Sequence, residues 1–129
     1  MNLSGYKQVI VLRKDLNMRK GKMVAQGAHA SMAAILQLAT RQGNQLVIPL
    51  DERIEPWLCG RFTKICVSVD SESELLAIHA RSIAAGVLSS LILDSGVTEF
   101  GGVPTNTAVA VGPDHASKVD LITGELPLL

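Results

Sequence analysis

The sequence predicts an α/β fold, a single compact domain in which a mixed four-stranded sheet carries helices on both faces. Its 129 residues suit one domain, and we assign residues 1–129 to it because no linker or internal repeat divides them. Apolar residues make up 47% of the chain but aromatic residues only 3%. The core must therefore be built from aliphatic side chains, a composition that suits helices packed on a sheet. Aliphatic runs and segments of helical periodicity alternate along the chain.

The first half of the chain predicts one strand, one long helix and one short helix. Residues 6–12 (YKQVIVL) form an apolar run typical of a buried strand. A basic loop, residues 13–20, follows, and a helix is expected over about residues 21–40. Asp51 is a candidate cap for a short helix that has Pro56 near its first turns. The apolar residues that recur at helical intervals in the long helix are Val24, Ala28, Ile35 and Leu38.

The second half of the chain predicts three more strands and two helices. Ser71 and Glu74 form a capping box, which starts a helix that ends near Gly86. Pro113 suits the first turn of a last short helix. Helical crossovers make neighbouring strands parallel, whereas the last two strands are joined by a hairpin-like return, so one strand is expected to be antiparallel. The predicted strands are residues 63–69, 88–93 and 107–111.

Two loops are expected at one rim of this sheet, where α/β proteins bind ligands beyond the carboxyl ends of their strands: residues 13–22 and 94–106. Lys22, Gln26 and His29 share one face of the long helix, because their spacings are four and three. Lys22 lies in the first turn, which favours a phosphate or a negative charge on a reacting oxygen. Gln26 can donate or accept a hydrogen bond. His29 lies among alanines, where a hydrogen-bonded core histidine is more common than a base.

Asp94 and Thr98 form a second cluster of candidate functional side chains. Asp94 ends an apolar strand, where a carboxylate has no packing role, and Thr98 follows after Gly96 turns the chain. A carboxylate beside a hydroxyl can orient or deprotonate a water molecule. The alternative is an Asx-turn that closes the strand.

Basic residues crowd into one short segment, although the chain balances 12 basic residues against 12 acidic ones. Such a patch could meet a phosphate backbone, and a solvated surface loop is the alternative interpretation. The basic residues of this segment are Arg13, Lys14, Arg19, Lys20 and Lys22.

Several classes of site are not expected from this sequence. The common nucleotide-binding glycine motifs and the G-x-S-x-G elbow are absent. His29, His79 and His115 lack metal-ligand spacing, so we expect neither a metal nor a cofactor. Cys59 and Cys66 match no zinc or redox motif and are expected to be buried, inert thiols of a cytoplasmic protein. The sequence has no apolar stretch long enough to span a membrane.

Three sequence blocks, spread over nearly the whole chain, carry a family signature. The first is VLRKDLNMRKGKMVAQGAHASMAA, which begins in the first strand and includes Lys22, Gln26 and His29. The second is D-x-G-x-T at Asp94, Gly96 and Thr98, and the third is V-G-P…D-x-I-T-G-x-L over residues 111–126. In this order the blocks resemble the peptidyl-tRNA hydrolase II family.

The resemblance implies a compact α/β enzyme, usually a homodimer, that needs no metal or cofactor. It would hydrolyse the ester that links a peptide to the terminal ribose of tRNA and release free tRNA. Lys22, Asp94 and Thr98 would be the catalytic set, with Gln26 and His29 nearby. We expect Asp94 and Thr98 to position a water and Lys22 to stabilise the oxyanion or the departing ribose oxygen. The residues expected to hold tRNA phosphates are Arg13, Lys14, Arg19 and Lys20.

The chain also departs from the family pattern. Arg19 stands where glycine is common, Gly27 where cysteine is common, and Glu99 where glutamine is usual. Two alternatives therefore stay open at this point. One is a catalytically inactive tRNA-binding or protein-interaction module, and the other is a hydrolase of a related aminoacyl ester.

Overall fold

A computed structural model describes residues 5–129, and the first four residues of the predicted domain lie outside this part of the chain. The described residues form six strands and four helices. In chain order these are β1 (Tyr6–Arg13), α1 (Lys20–Leu36), β2 (Thr40–Gln42), β3 (Gln45–Val47), α2 (Ile54–Leu58), β4 (Lys64–Val69), α3 (Glu72–Ala84), β5 (Ser89–Asp94), β6 (Thr105–His115) and α4 (Ala116–Thr123).

Four of the strands form one mixed sheet in the order β4-β1-β6-β5. β1 and β4 are parallel, and β6 is antiparallel to both of its neighbours. The carboxyl ends of β1, β4 and β5 therefore meet at one rim, beside the amino end of β6. This confirms the predicted mixed four-stranded sheet with one antiparallel strand.

Alternate side chains of β1 build the cores on the two faces of the sheet. Val9 and Val11 pack with residues of α3 and α4 on one face. Ile10 and Leu12 point the other way and pack with Ala30 and other small residues of α1. Because successive strand residues face opposite sides, this alternation requires helices on both faces, as predicted.

The predicted helix starts are confirmed by their hydrogen bonds. The Ser71 hydroxyl accepts from the backbone N–H of Glu74 at 3.1 Å, and the Glu74 carboxylate accepts from the backbone N–H of Asp70 at 2.6 Å. At α2, the Asp51 carboxylate accepts from the backbone N–H of Ile54 at 3.0 Å. The Ser71 hydroxyl and the Asp51 carboxylate thus satisfy amide groups that the first turn of a helix leaves without partners, and the Glu74 carboxylate holds the chain just before α3.

The long helix is shorter than predicted, and its predicted apolar face is buried only in part: Ile35 is buried, whereas Val24 and Ala28 are not. α1 ends at Leu36 rather than near residue 40, and Gly43 turns the chain of a small β2–β3 hairpin with a φ of +63°. Val24 is 72% exposed, and Ala28 is also exposed. Smaller or polar residues of α1 face the sheet instead, because they allow a close approach: Gln26, Gly27, Ala30, Ser31 and Ala34.

Two further predictions are wrong. Pro113 lies inside β6 rather than in the first turn of α4; it is tolerated there because the pairing of β1 with β6 carries one extra residue beside it. Cys59 and Cys66 are both exposed rather than buried. Cys59 follows the short helix α2, and Cys66 lies on the edge strand β4, on a face that α1 leaves uncovered. None of the four described helices has the length and apolar character needed to cross a membrane.

Candidate active site

Three of the predicted site residues meet at the sheet rim. Lys22 comes from the first turn of α1, Asp94 is the last residue of β5, and Thr98 lies in the loop that follows β5. The Lys22 ammonium donates to Asp94 Oδ1 at 2.9 Å and to Thr98 Oγ1 at 2.6 Å. The side chains of Lys22 and Asp94 are almost enclosed, so their ion pair is shielded from much of the solvent.

Gln26 joins this cluster one helical turn after Lys22. Its side-chain amide donates from Nε2 to Asp94 Oδ1 at 3.2 Å and accepts at Oε1 from the hydroxyl of Thr107 at 2.5 Å. Gln26 and Thr107 are both buried. Because the ionised Asp94 can only accept hydrogen bonds, it requires the NH₂ group of Gln26, and Thr107 holds the other end of the amide by donating to Oε1.

The sequence did not single out Thr107, and the reason lies in the sheet. On β6, Ala108 and Ala110 face α1, so simple alternation places residue 107 on the opposite face. The pairing of β5 with β6 shifts between Ile92 and Leu93, which leaves Thr107 as an extra residue on β6. A bulge of this kind re-aims a side chain, and here it directs the hydroxyl toward Gln26.

The Asp94 carboxylate is held at both of its oxygens. Oδ1 accepts from Lys22 and Gln26, and Oδ2 accepts from the backbone N–H of Gly96 at 2.8 Å. The hydrogen bond to Gly96 is the Asx-turn that was the alternative interpretation of Asp94. The structure therefore contains both this turn and the cluster of functional side chains. The hydrogen bond from Lys22 is the largest cause that lowers the pKa of Asp94 below its usual value, although burial opposes it. Asp94 is thus an ionised carboxylate and a weak base at neutral pH.

The loop between β5 and β6 brings two more side chains to this rim. The Lys22 Nζ atom lies 5.5 Å from the centroid of the Phe100 ring. Glu99 reaches the amino end of α1, where its Oε2 accepts from the backbone N–H of Arg19 at 3.4 Å. A β-carbon on Gly96 would lie 2.1 Å from the carbonyl oxygen of Val103, so the tight fold of this loop requires glycine there.

His29 is not brought to the cluster. It lies seven residues after Lys22, which is about 10 Å further along the helix axis. Its side chain is exposed rather than part of the core, and the hydrogen bonds found between residues 5–129 include none from its ring. The shared helix face that the spacing predicted is therefore separated into a buried part at Gln26 and an exposed part at His29.

The predicted phosphate-binding residues fall into two groups. The side chain of Arg13 is 11% exposed. Its guanidinium donates to the Asp15 carboxylate, at 2.7 and 3.2 Å, and to the carbonyl oxygen of Asn106 at 3.1 Å. Arg13 therefore ties its loop to the start of β6. The other three side chains are exposed at the same rim: Lys14, Arg19 and Lys20.

The remaining histidines have local structural partners. His79 Nδ1 lies 2.7 Å from the Ser89 hydroxyl, and the His115 ring accepts from the backbone N–H of Ser117 at the start of α4. Within the part of the chain that the structure covers, no three His, Cys, Asp or Glu side chains lie together as a metal site would need.

Comparisons with known proteins connect this geometry to a family. The family model described as "Peptidyl-tRNA hydrolase PTH2" matches residues 6–129. A peptidyl-tRNA hydrolase of Methanocaldococcus jannaschii is 43% identical over 95% of this chain and 99% of its own. Those of Aeropyrum pernix and Methanopyrus kandleri are 39% and 38% identical, and each match covers at least 96% of this chain and 98% of the relative. These matches confirm the resemblance seen in the three sequence blocks, and the chain therefore belongs to the peptidyl-tRNA hydrolase PTH2 family.

Proposed function

We propose that Lys22, Asp94 and Thr98, supported by Gln26, are the groups with which this chain cleaves its substrate. As a member of the family the chain is a hydrolase of peptidyl-tRNA, which cuts the ester between the peptide and the tRNA. The observation that carries the site assignment is that one ammonium, that of Lys22, donates to both a carboxylate and a hydroxyl. No finding favours the inactive module or the hydrolase of another aminoacyl ester.

The carboxylate of Asp94 orients the attacking water rather than taking its proton early. A general base works best when its pKa lies near the operating pH, and the pKa of Asp94 is lowered below that of an ordinary aspartate. Asp94 and the hydroxyl of Thr98 accept hydrogen bonds from the water, which points a lone pair of its oxygen at the ester carbonyl carbon. Orientation is therefore the main contribution of these two side chains.

Lys22 stabilises the negative charge that the reaction creates. Addition of water forms a tetrahedral intermediate, and its oxyanion lies beside the Lys22 ammonium. When the bond between the carbonyl carbon and the ribose oxygen breaks, Lys22 gives a proton to that oxygen, and a proton from the added water restores the ammonium. The products are the peptide acid and tRNA with a free ribose hydroxyl, so one water is consumed.

Conservative substitutions test the site directly. Lys22→Met and Asp94→Asn should each lower kcat for a peptidyl-tRNA by about 100-fold or more, because each removes a charged group from the reacting centre. Lys118→Met, which changes an exposed lysine of α4, is the matched control and should keep full turnover. The assay is release of tRNA from an N-blocked aminoacyl-tRNA with a chelator present. Near-full turnover by Lys22→Met and Asp94→Asn would show that the site lies elsewhere.

Lys14, Arg19 and Lys20 are proposed to hold tRNA phosphates. Their exposed charges border the site, and contacts to phosphate do not read sequence, which suits an enzyme that accepts many tRNAs. Each phosphate contact adds roughly 0.7–0.9 to the slope of log affinity against log salt concentration. Lys20→Gln should therefore weaken tRNA binding and flatten this slope. A slope near zero for the unaltered protein would rule out the phosphate contacts.

A homodimer is proposed from an exposed apolar groove. The groove, about 750 Å³ in volume, runs between the outer face of α1 and the edge strand β4. Val24 and Met32 are 72% and 61% exposed there, and Phe62 lies on the opposite wall. A second copy of the chain is the occupant that the family resemblance implies, and its own apolar α1 face would match this one.

Light scattering tests the dimer, and cell fractionation tests the location. Met32→Glu should convert the dimer to a monomer, whereas Leu121→Glu, on the exposed side of α4, should not. A monomeric unaltered protein would refute the proposal.

We also infer that the protein acts in the cytoplasm, because translation produces its substrate there. Recovery in a membrane fraction would contradict this.

A further inference from the structure

The amino end of α1 is occupied by a carboxylate from another part of the chain. Arg19, the residue before α1, makes no side-chain cap, and the first turn of α1 contains no acidic residue. Glu99 comes from the β5–β6 loop instead: its Oε2 accepts from the backbone N–H of Arg19 at 3.4 Å, and its Oε1 lies 3.9 Å from Arg19 Nε. The structure thus places a fixed negative charge among the exposed basic residues that border the site.

Glu99 lies against groups that would otherwise attract a phosphate, namely the backbone N–H and the guanidinium of Arg19 just before the first turn of α1. The free amides and the dipole at the amino end of a helix bind anions, and neighbouring basic side chains strengthen that binding. The side chain of Glu99 is only 20% exposed, whereas that of Arg19 is 91% exposed. Because Glu99 is mostly shielded from solvent, its charge is poorly screened by salt and acts strongly on an anion at this position.

We propose that Glu99 sets the affinity of this enzyme for tRNA by keeping phosphate away from the amino end of α1. The proposal rests on the tRNA surface proposed above and deepens it. Phosphates are then held by the flexible ammonium groups of Lys14 and Lys20 and by the exposed edge of the Arg19 guanidinium. Weaker binding of the backbone speeds the release of free tRNA, which is a product of every turnover.

Binding of deacylated tRNA to the full chain tests this role. In Glu99→Gln the side chain keeps its size and a carbonyl acceptor for the Arg19 N–H but loses its charge. A unit charge at this range changes affinity about threefold to tenfold, so Glu99→Gln should bind tRNA that much more tightly at low salt. If one phosphate then reaches the helix end, the slope of log affinity against log salt steepens by roughly 0.7–0.9.

Two controls separate the charge from other effects. Glu125→Gln removes an exposed carboxylate near the carboxyl end of the chain and should change tRNA affinity by less than about twofold, because that charge is screened. Glu99→Asp keeps the charge in the loop and should bind like the unaltered protein. Free tRNA should also inhibit hydrolysis more strongly in Glu99→Gln, with KM lowered.

The outcomes distinguish this proposal from the tRNA surface on which it rests. If Lys20→Gln weakens tRNA binding while Glu99→Gln leaves it unchanged, the tRNA surface stands and the role of Glu99 is overturned. If neither substitution changes the affinity, both are overturned. If Glu99→Gln and Glu125→Gln tighten tRNA binding equally, the effect is one of net charge alone, and the role of Glu99 is again overturned.

Discussion

Removal of one buried hydroxyl should lower catalysis without touching any group that meets the substrate. Thr107 lies under the site, where its hydroxyl donates to Gln26 Oε1, and Gln26 in turn donates to Asp94. Thr107→Val keeps the shape of the side chain but removes this donor. Gln26 Oε1 then has no donor, so the side chain is held at one end only and its hydrogen bond to Asp94 is less well fixed.

The size of the effect follows from the hydrogen bonds that are lost. A buried acceptor without a donor costs about 1–3 kcal/mol of folding stability, and Gln26 Oε1 becomes such an acceptor. Gln26 supplies one of three hydrogen bonds to the Asp94 carboxylate, beside those from Lys22 and Gly96. A hydrogen bond to a charged group is worth about 1.5–3 kcal/mol, so kcat should fall by roughly ten- to hundredfold.

Steady-state hydrolysis and urea unfolding separate the two consequences. Thr123→Val is a matched control, because Thr123 is equally buried and donates to a backbone carbonyl in α4. It should lose some stability with its hydroxyl hydrogen bond but keep its kcat, whereas Thr107→Ser should recover much of the kcat lost in Thr107→Val. If Thr107→Val is destabilised yet turns over at the original rate, Gln26 does not position Asp94 for catalysis.

Three further substitutions test other parts of the rim and the fold. Arg13→Gln should lower the free energy of unfolding by about 1–3 kcal/mol in urea while tRNA affinity stays nearly unchanged, because its guanidinium is occupied within the protein. Gly96→Ala should lower kcat at least about tenfold, since the new β-carbon would lie 2.1 Å from the Val103 carbonyl oxygen. Gly101→Ala is its control: φ is also positive there, but the space around it is open, so kcat should fall less. The pKa of Asp51 is lowered to about 2 by its hydrogen-bonded arginine partner, so its contribution to stability is complete above pH 3.8 and is lost as the pH falls toward 2. As the pH falls from 3.8 toward 2, the free energy of unfolding of the unaltered protein should therefore decrease by about 1 kcal/mol more than that of Asp51→Asn, after allowance for solvent screening. Urea unfolding at several pH values measures this difference.

The fold could be predicted where local pattern and tertiary structure agree. The strands come from aliphatic runs, and the capping box at Ser71 marks the start of α3 because its hydrogen bonds are local. The errors have tertiary causes. The helix expected over about residues 21–40 ends early because β2 and β3 form a hairpin that Gly43 closes with a positive φ. Pro113 was expected in a helix, but an irregular pairing with β1 keeps it in β6. In both cases the cause is a strand pairing, and the residues of one strand do not show which strand will pair with it.

The candidate site could be predicted in part because topology brings its residues together. Asp94 ends β5, and Lys22 lies in the first turn of the helix that follows β1. Because β1 and β5 run in the same direction, their carboxyl ends lie at one rim of the sheet, so the contact between Asp94 and Lys22 follows from the fold. Thr107 was missed because a bulge turns its side chain to the face of the sheet that α1 covers, and the sequence of β6 does not predict that bulge. The sequence shows that Asp15 stands near Arg13, but it does not show that the Arg13 guanidinium binds this carboxylate and the distant carbonyl oxygen of Asn106.

The chemistry of the site depends on how the three hydrogens of the Lys22 ammonium are used. Among residues 5–129, Nζ donates to Asp94 and to Thr98, which leaves one N–H for an oxygen of the ester. In the proposed mechanism the carboxylate therefore has two linked roles: it orients water, and it fixes the direction of that remaining donor. Because Asp94 stays ionised, its attraction for Lys22 persists across the neutral pH range. If the proposed site is correct, Lys22, Asp94 and Thr98 act as one unit, and we expect the loss of any one of them to remove the geometry that the other two require.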